Sequence, residues 1–248
     1  MNKNHDLDYR TRLYAHYAVN FQDAQETFSK EAALRWGRGY HHYLRGDWLP
    51  ADKNVAIADV ACGSGKLLYF LKNMHYHNIV GVDISPDQVR LARQVTPEVD
   101  EADVLDWLDA HTSSIDLIVG LDFVEHLDKS EILRFIDACH SALKPGGRLI
   151  LQTPNAESLW GTSIRYGDFT HEVGFTPDLL SRLLKQAGFH HLEVRETGPV
   201  PWGYSAVSSL RCLIWQSIRL GLKIWNLAEV GSSGSGVFTR VFLIKADR

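Results

Sequence analysis

The sequence predicts an α/β fold in which helices flank a doubly wound and mostly parallel sheet. Three observations lead to this prediction: short apolar runs alternate with helical patterns, a glycine-containing turn follows the first run, and acids end several runs. Helices that connect neighbouring parallel strands form right-handed crossovers and therefore cover both faces of the sheet. A ligand is then expected at the carboxyl ends of the strands, near the point where the strand order reverses.

The bulk composition suits one α/β domain with appendages. The chain has 248 residues and a formal net charge of −4, which argues against a nucleic-acid partner because such proteins carry a basic face. Cys62, Cys139 and Cys212 have neither disulfide nor metal-ligand spacing, so a reducing cytoplasm is the expected compartment. The stretch MNKNHDLDYRTRLYAHY lacks the apolar core of a signal peptide, and no run is apolar enough to cross a bilayer.

Residues 1–50 are interpreted as an N-terminal helical cap and residues 51–248 as the main domain. The cap prediction depends on residues 7–44, which are rich in aromatic and charged side chains and contain no strong breaker before Gly37. Two helices are expected there. Residues 55–60 then form a buried strand, and residues 66–74 form a helix.

The same alternation continues along the rest of the chain. Residues 78–83 are a second strand, and Ser85-Pro86-Asp87 begins a helix to about residue 95, because a hydroxyl N-cap precedes proline and an acid. A short third strand is expected near Val99. The remaining predicted elements are a fourth strand in SIDLIVGLD, a helix over 130–143 closed by KPGG, a fifth strand in RLILQTP and an antiparallel final strand in GVFTRVFLIKA.

The stretch AIADVACGSGKLL determines which class of ligand is expected. The stretch does not match the pattern of a phosphate-binding P-loop. Val60 stands where the first glycine is required, four spacers before Gly65, and Leu67 stands where a hydroxyl is required. A dinucleotide loop fails as well, because Leu68 occupies the place of the third glycine. The remaining alternatives are a plain connector between a strand and a helix, or a shortened ligand loop.

The acids at the ends of the strands favour the ligand loop. Asp59 heads the turn and suits a cationic ligand such as a sulfonium, which favours S-adenosylmethionine. Asp83 ends the second strand, about twenty residues beyond the turn, where it can accept both hydroxyls of a ribose. Asp103 follows the third strand and is placed to accept from an adenine amino group.

The ordered segments ADVACGSGKL, GVDIS, ADVLDW, DLIVGLDFVEHL and LKPGGRLILQTPN resemble the successive motifs of class I S-adenosylmethionine-dependent methyltransferases. The resemblance covers residues 55–155 and implies a Rossmann-like, seven-stranded sheet. It also implies that the two turn glycines admit the methionine part, that Val104 offers its amide to adenine, and that Leu121 offers its carbonyl to the ammonium. Ala61 departs from the glycine of many members. The full predicted cofactor set is Asp59, Ala61, Cys62, Gly63, Gly65, Asp83, Ile84, Asp103, Val104 and Leu121.

Histidines are the candidate bases for removing a proton from the methyl acceptor. The sequence LDFVEH disfavours methylation of nucleic-acid amino groups, which an Asp/Asn-Pro-Pro-aromatic tetrapeptide often marks. His171 is the first candidate, with Glu172 or Asp168 as the acid that orients it; the alternative is an ordinary loop histidine bonded to one of these acids. His126 is the second candidate, and its alternative role is to cap the following helix together with Glu125.

The loop at 155–180, with its segment YGDFTHEVGFTP, is interpreted as a lid over the acceptor. It resembles loops of methyltransferases from bacterial polysaccharide and lipopolysaccharide clusters, which implies an O-methyltransferase for a sugar hydroxyl or sugar phosphate of a glycan or its nucleotide-linked precursor. The alternatives are a methyltransferase for a quinone, phenol or antibiotic-type molecule, and a non-catalytic binding module. No metal-ligand cluster is visible, although acids such as Asp122 or Asp168 leave a magnesium-assisted variant open.

Residues 205–230 have the pattern of an amphipathic helix. Arg211, Arg219 and Lys223 fall on one side at helical spacing, and large apolar residues fall on the other. One interpretation is a helix packed on the domain or on a second subunit in a homodimer. The other is a helix in contact with the inner membrane, with its tryptophans at the headgroup level.

Overall fold

Seven strands form one sheet in the computed structural model, which describes residue 13 and residues 27–199 and 202–248. The strand order is β3-β2-β1-β4-β5-β7-β6, and β7 runs antiparallel to both β5 and β6 while the other pairs are parallel. This confirms the predicted doubly wound sheet with its antiparallel last strand. The strands are β1 (Ile57–Val60), β2 (Ile79–Asp83), β3 (Val99–Glu101), β4 (Ile115–Leu121), β5 (Leu143–Pro154), β6 (His190–Glu196) and β7 (Val241–Asp247).

The helices largely occupy the segments predicted for them. They are α1 (Lys30–Tyr43), α2 (Lys66–Asn73), α3 (Pro86–Ala92), α4 (Val104–Asp109), α5 (Lys129–Ala142), α6 (Gly161–Arg165), α7 (Pro177–Gln186) and α8 (Ala206–Val230). Helix α1 corresponds to the second predicted helix of the cap, whereas the first lies almost entirely outside the described residues. The lid segment contains α6 and the beginning of α7, so it is partly helical.

Two apolar clusters cover the two faces of the sheet. Consecutive residues of one strand join different clusters: Leu117 packs with α1 and α2, whereas Ile118 packs with α5 and α7. Leu149 and Ile150 divide between the clusters in the same way, since successive strand residues point to opposite faces. The central strands are therefore mostly apolar, and their polar side chains, such as Asp59 and Asp116, lie near the strand ends.

The sequence KPGG does not separate α5 from β5 as predicted. Strand β5 begins directly after α5, and the four residues lie within it. Ile115 pairs with Leu143 and Leu117 pairs with Arg148, so residues 144–147 form an irregular insertion in the ladder. Gly146 has φ +75°, a conformation that glycine adopts without strain.

Helix α8 packs on the domain through its polar side. Arg219 Nε lies 3.0 Å from Glu196 Oε2, and Ser208 is buried. The apolar residues face outward and are about half exposed or more, namely Val207, Leu210, Leu213, Ile214, Ile218, Leu220, Ile224, Trp225, Leu227 and Val230. Among the described residues no helix is long and apolar enough to span a membrane. Helix α8 therefore packs on the domain, as one interpretation expected. Its polar side faces the domain, whereas an ordinary amphipathic helix turns its apolar side inward.

Candidate active site

The carboxyl ends of β1, β2 and β4 open into one cavity of about 850 Å³. The cavity extends to the loop after β5, so the predicted cofactor residues and most of the predicted acceptor residues line the same space. Its position follows from the topology, because the strand order reverses between β1 and β4.

Nearly all of the residues predicted to bind the cofactor line this cavity: Asp59, Ala61, Cys62, Gly63, Asp83, Ile84, Asp103, Val104 and Leu121. Gly65 is the exception. It has φ +84°, and a Cβ at this position would lie 3.0 Å from Ala92 Cα, so Gly65 allows α2 to begin close against α3. The structure thus shows a packing role for Gly65, and its contact with the ligand stays a prediction.

Gly63 and Asp83 form the centre of the cofactor end. Gly63 has φ +52°, and a Cβ there would meet only Gln88 Oε1 at 3.9 Å, so the backbone borders open space. Its N–H donates to Asp83 Oδ2 at 2.8 Å, while Asp83 Oδ1 accepts from the Ser85 N–H at 2.9 Å. Burial raises the pKa of the Asp83 carboxyl, and these N–H donors oppose that rise. The carboxylate is thus held rigidly at the tip of β2, with lone pairs left for ligand hydroxyls.

Asp59 has a buried oxygen atom without a hydrogen-bond partner. The residue is 2% exposed, and none of the described residues donates a hydrogen bond to its Oδ2. Burial, and then the neighbouring charge of Asp83, raise its pKa well above the ordinary value. Buried polar atoms are normally paired, so this atom fits a donor or a positive charge brought by the cofactor predicted from the sequence.

Asp103 also caps a helix. Its Oδ1 accepts from the N–H groups of Leu105 and Asp106 at 2.8 and 3.2 Å, which is standard N-cap geometry for α4. Both Asp103 and the following Val104 line the cavity. The contact of Asp103 with adenine stays a prediction. Of its two carboxylate oxygens, only Oδ2 takes no part in the helix cap and suits this contact.

The turn after β4 is conformationally strained. Asp122 follows Leu121 with φ +54°, a region that non-glycine residues rarely adopt and that is often found at functional sites. Asp122 Oδ2 accepts from Gln152 Nε2 at 2.8 Å, and Gln152 Oε1 accepts from the Tyr40 hydroxyl at 2.7 Å. Burial raises the pKa of the Asp122 carboxyl. This chain of bonds connects α1 to the floor of the cavity.

His126 and His171 meet at the acceptor end of the cavity, with ring centroids 4.8 Å apart. His126 Nδ1 lies 2.8 Å from Thr170 Oγ1, and Thr170 Oγ1 lies 2.6 Å from Asp168 Oδ1. His171 Nδ1 instead lies 3.2 Å from the Ile164 carbonyl oxygen. Asp168 therefore connects to His126 through the Thr170 hydroxyl, and the orientation of His171 by Asp168 or Glu172 stays a prediction.

Glu125 lies beside these histidines and is 1% exposed. Its Oε2 accepts from Thr153 Oγ1 at 3.0 Å, and burial followed by the Asp122 charge raises its pKa well above the ordinary value. One ligand atom each from Glu125, His126 and His171 lie within 4.8 Å of one another, a group able to hold a metal ion. No cluster of this kind was visible in the sequence, because His171 lies 45 positions from His126 and joins it only in the folded protein.

Glu172 lies outside the main cavity. Its side chain lines a neighbouring pocket of the lid with Arg165, Tyr166, Asp168, Phe169 and His171. Its backbone N–H donates to the Glu125 carbonyl at 2.7 Å, which joins the lid to the turn after β4. The backbone of Glu172 therefore anchors the lid, and the predicted catalytic role of its side chain stays a prediction.

Sequence reasoning missed several residues of the site. Trp36 and Tyr40 of α1 line the cavity and stack with centroids 3.8 Å apart. Their spacing of four residues puts them on one helix face and was the available signal. Thr170 and Gln152 offered no signal, because each acts through a contact with a residue distant in the chain.

A family model described as a methyltransferase domain matches residues 32–194, from α1 to β6. Among curated proteins, the ubiquinone biosynthesis O-methyltransferase of Xylella fastidiosa is 27% identical over 165 residues, 59% of this chain and 65% of that protein. The same-named protein of Xanthomonas oryzae pv. oryzae is 31% identical over 122 residues, 45% of this chain and 49% of its own length. The matches thus span about half to two thirds of these relatives.

Solved structures share the fold. An S-adenosylmethionine-dependent methyltransferase from Archaeoglobus fulgidus aligns over 97% of this chain and all of its own, with TM-score 0.64 and 21% identity. Phosphoethanolamine N-methyltransferase 2 of Haemonchus contortus, in complex with S-adenosyl-L-methionine, covers 98% of this chain with TM-score 0.59 and 14% identity, over 60% of its own length. None of these comparisons indicates the predicted relation to polysaccharide or lipopolysaccharide clusters.

The family match covers more than half of the chain, and the cavity offers a rigid carboxylate on β2, an open glycine turn and an unsatisfied buried acid to the methyl donor. The chain therefore belongs to the methyltransferase-domain family, as an S-adenosylmethionine-dependent enzyme of the seven-stranded class.

Proposed function

We propose that this enzyme transfers a methyl group to a phenolic hydroxyl of a small aromatic acceptor of the quinone-precursor type. The observation that carries the proposal is the junction of the cofactor cavity with the two imidazoles of His126 and His171. Two further observations support it: the named relatives are ubiquinone biosynthesis O-methyltransferases, and Trp36, Tyr40 and Phe123 supply aromatic walls.

His171 is the proposed general base. A carbonyl oxygen only accepts hydrogen bonds, so the contact with Ile164 assigns the proton to Nδ1 of His171 and the lone pair to Nε2. When Nε2 takes the acceptor proton, the Ile164 carbonyl and the nearby Asp122 carboxylate stabilise the imidazolium. A phenol, with a pKa of about 10 as in tyrosine, is within reach of such a base.

Bound S-adenosylmethionine supplies an electrophilic methyl group. Around it, Asp83 and Asp59 hold the cofactor end, while the loop carrying His171 orients the acceptor oxygen for in-line attack. The lid is fixed to the turn after β4 by the Glu172 backbone, so both ends of the cavity share one rigid support. The sugar acceptor predicted from the sequence has no support among the relatives and is the rival in the test.

The test is an acceptor screen with methyl-labelled S-adenosylmethionine and mass detection of products. We expect O-methylation of catechols and polyprenyl phenols and none of nucleotide sugars or extracted glycans. Products formed only from the sugars would overturn the acceptor class.

His171→Ala is expected to reduce turnover at least ~100-fold with nearly unchanged cofactor affinity, because a positioned base contributes about this factor. His77→Ala, which removes an exposed histidine outside the cavity, is the matched control. Full turnover in His171→Ala would remove His171 from the mechanism.

A further inference from the structure

Ser85 occupies the N-cap position of α3, yet the described part of the chain shows no cap bond from its side chain. A serine at this position normally accepts from the second or third helical N–H group, as Ser29 and Ser205 do at the starts of α1 and α8. Ser85 and Gln88 even have the spacing of a capping box. The Ser85 hydroxyl is therefore not used by the helix that it precedes.

The Ser85 hydroxyl is buried, and none of the residues that the structure describes forms a hydrogen bond with it. The residue is 4% exposed, and its Oγ belongs to the few buried side-chain atoms in this condition. Burial of a hydroxyl without a partner costs free energy, so native proteins rarely retain one. Ser85 also lines the cofactor cavity. The hydroxyl therefore suits a ligand group that enters this cavity.

Ser85 lies directly beside the carboxylate that is expected to hold the ribose. Its backbone N–H donates to Asp83 Oδ1 at 2.9 Å, while the Gly63 N–H donates to Asp83 Oδ2 at 2.8 Å. In a capping box this Ser85 N–H would instead donate to the side chain of the third helical residue. The bond to Asp83 thus fixes the Ser85 backbone, and with it the Ser85 Cβ, next to the Asp83 carboxylate.

A ribose diol offers lone pairs as well as hydroxyl hydrogens. An ionised carboxylate only accepts hydrogen bonds, so Asp83 can bind the hydrogens of the two hydroxyls but leaves the lone pairs of their oxygens unsatisfied. A serine hydroxyl supplies one donor, and rotation among its staggered positions lets it point toward an oxygen nearby. Ser85 therefore provides the donor that Asp83 lacks, and it does so from two positions further along the same turn.

We propose that Ser85 binds the methyl donor: its hydroxyl donates to one of the two ribose hydroxyl oxygens of S-adenosylmethionine, while Asp83 accepts from the ribose hydroxyls. The cofactor then supplies the partner that the Ser85 hydroxyl does not find in α3. The proposal rests on the predicted ribose contact of Asp83. It concerns the methyl donor alone, so it is independent of the acceptor class given under the proposed function.

Calorimetry with S-adenosylhomocysteine and its 2′-deoxy and 3′-deoxy ribose analogues tests the bond without reference to activity. Ser85→Ala should weaken binding of S-adenosylhomocysteine about 5–10-fold, the effect of one lost neutral hydrogen bond. One of the two deoxy analogues lacks the oxygen to which Ser85 donates, so Ser85→Ala and the wild type should bind that analogue equally. No loss with S-adenosylhomocysteine, or the same loss with all three ligands, overturns the proposal.

Urea unfolding of the free protein separates ligand binding from helix capping. Ser85→Ala should leave the unfolding midpoint unchanged or raise it, because no cap bond within residues 27–199 is lost and a buried hydroxyl is removed. Ser29→Ala is the matched control: it removes a formed cap and should lower the midpoint by about 0.3–0.5 M, while S-adenosylhomocysteine affinity is retained.

A midpoint that falls as far in Ser85→Ala as in Ser29→Ala would show that the Ser85 hydroxyl caps α3, and it would overturn the proposal. A failed acceptor screen would overturn the proposed function alone, because neither the calorimetry nor the unfolding experiment contains an acceptor.

Discussion

Ala61 has a strained backbone conformation and also lines the cofactor cavity. It has φ +56° directly after β1, a left-handed conformation that costs an L-residue about 1–2 kcal/mol. The resemblance had marked this position as one where many methyltransferases have glycine. Only the structure supplies the physical reason, because the sequence does not show the sign of φ.

Ala61→Gly is therefore expected to stabilise the free protein by up to about 1 kcal/mol. Relief of the strain exceeds the extra unfolded-state entropy of glycine, which is about 0.5–1 kcal/mol. Urea unfolding measures the difference, and Ala58→Gly, in the buried interior of β1, is the control expected to destabilise. Equal losses of stability in both variants would contradict the strain at position 61.

Asp59 illustrates how a binding residue reduces the stability of the free protein. Its folded pKa is raised above the unfolded value of about 3.9, so its contribution is fully present below that value and is lost as pH rises through the folded pKa. Asp59→Asn should therefore be more stable than the wild type at pH 7, with the gap closing toward pH 4. Urea unfolding across this range measures the gap. A gap that is constant with pH would show that Asp59 is not destabilised by burial.

The residue roles that could be predicted were those that depend on the position of a strand end. Asp59, Gly63 and Asp83 lie where parallel strands stop, and the structure brings all three to one cavity. The connection of His126 to Asp168 could not be predicted, because Thr170, which joins them, lies 44 positions from His126. Contacts of this kind depend on the folded loop and leave no local pattern.

At the scale of elements, prediction succeeded where an apolar period meets a clear cap or breaker, and it missed the short helix α4. Helices α2, α3 and α5 and the central strands were found because an apolar period and a cap or breaker mark them. Helix α4 is only six residues long and was missed, although Asp103 is a good N-cap. The sequence KPGG was treated as a boundary, yet pairing of its flanks with β4 incorporates it into β5.

Helix α8 gives the membrane interpretation a sharper form. Its apolar side faces away from the domain, and exposed aromatic side chains, Trp202, Tyr204 and Trp225, lie just before it and near its end. Tryptophan and tyrosine favour the interface between lipid and water, and the exposed Arg211 suits an anionic headgroup. We therefore expect α8 to lie on a lipid surface, although this contact stays a prediction.

Vesicle sedimentation tests this expectation. The wild type should bind phosphatidylglycerol vesicles, and Leu213→Glu and Ile224→Glu should each weaken binding at least ~10-fold, because each puts a charge where an exposed apolar side chain would enter the lipid. Gln216→Glu, at an exposed polar position of the same helix, is the matched control. If the wild type does not bind vesicles but forms a dimer, and the two variants are monomeric, the apolar surface of α8 is an interface between two copies.

At the scale of the molecule, the cap is integrated with the sheet. The boundary predicted at residue 50 separates α1 from the main domain, yet the family match begins inside α1. The Tyr40 hydroxyl donates to Gln152 of β5, and Trp36, Tyr40 and Phe70 pack together across the division. Cofactor binding should accordingly stabilise the whole described fold rather than one part of it.

This integration allows cofactor binding to be measured as global stability. At 100 times its dissociation constant, S-adenosylmethionine should stabilise the protein by about 2.7 kcal/mol, which for a chain of this size raises Tm by about 5–10 °C. Asp83→Ala should weaken binding by about 1.5–3 kcal/mol, the scale of charge-assisted hydrogen bonds. At the same cofactor concentration the stabilisation then falls below about 1.5 kcal/mol. Asp178→Ala, on the exposed side of α7, should keep the full shift, and a full shift in Asp83→Ala would exclude the ribose role of Asp83.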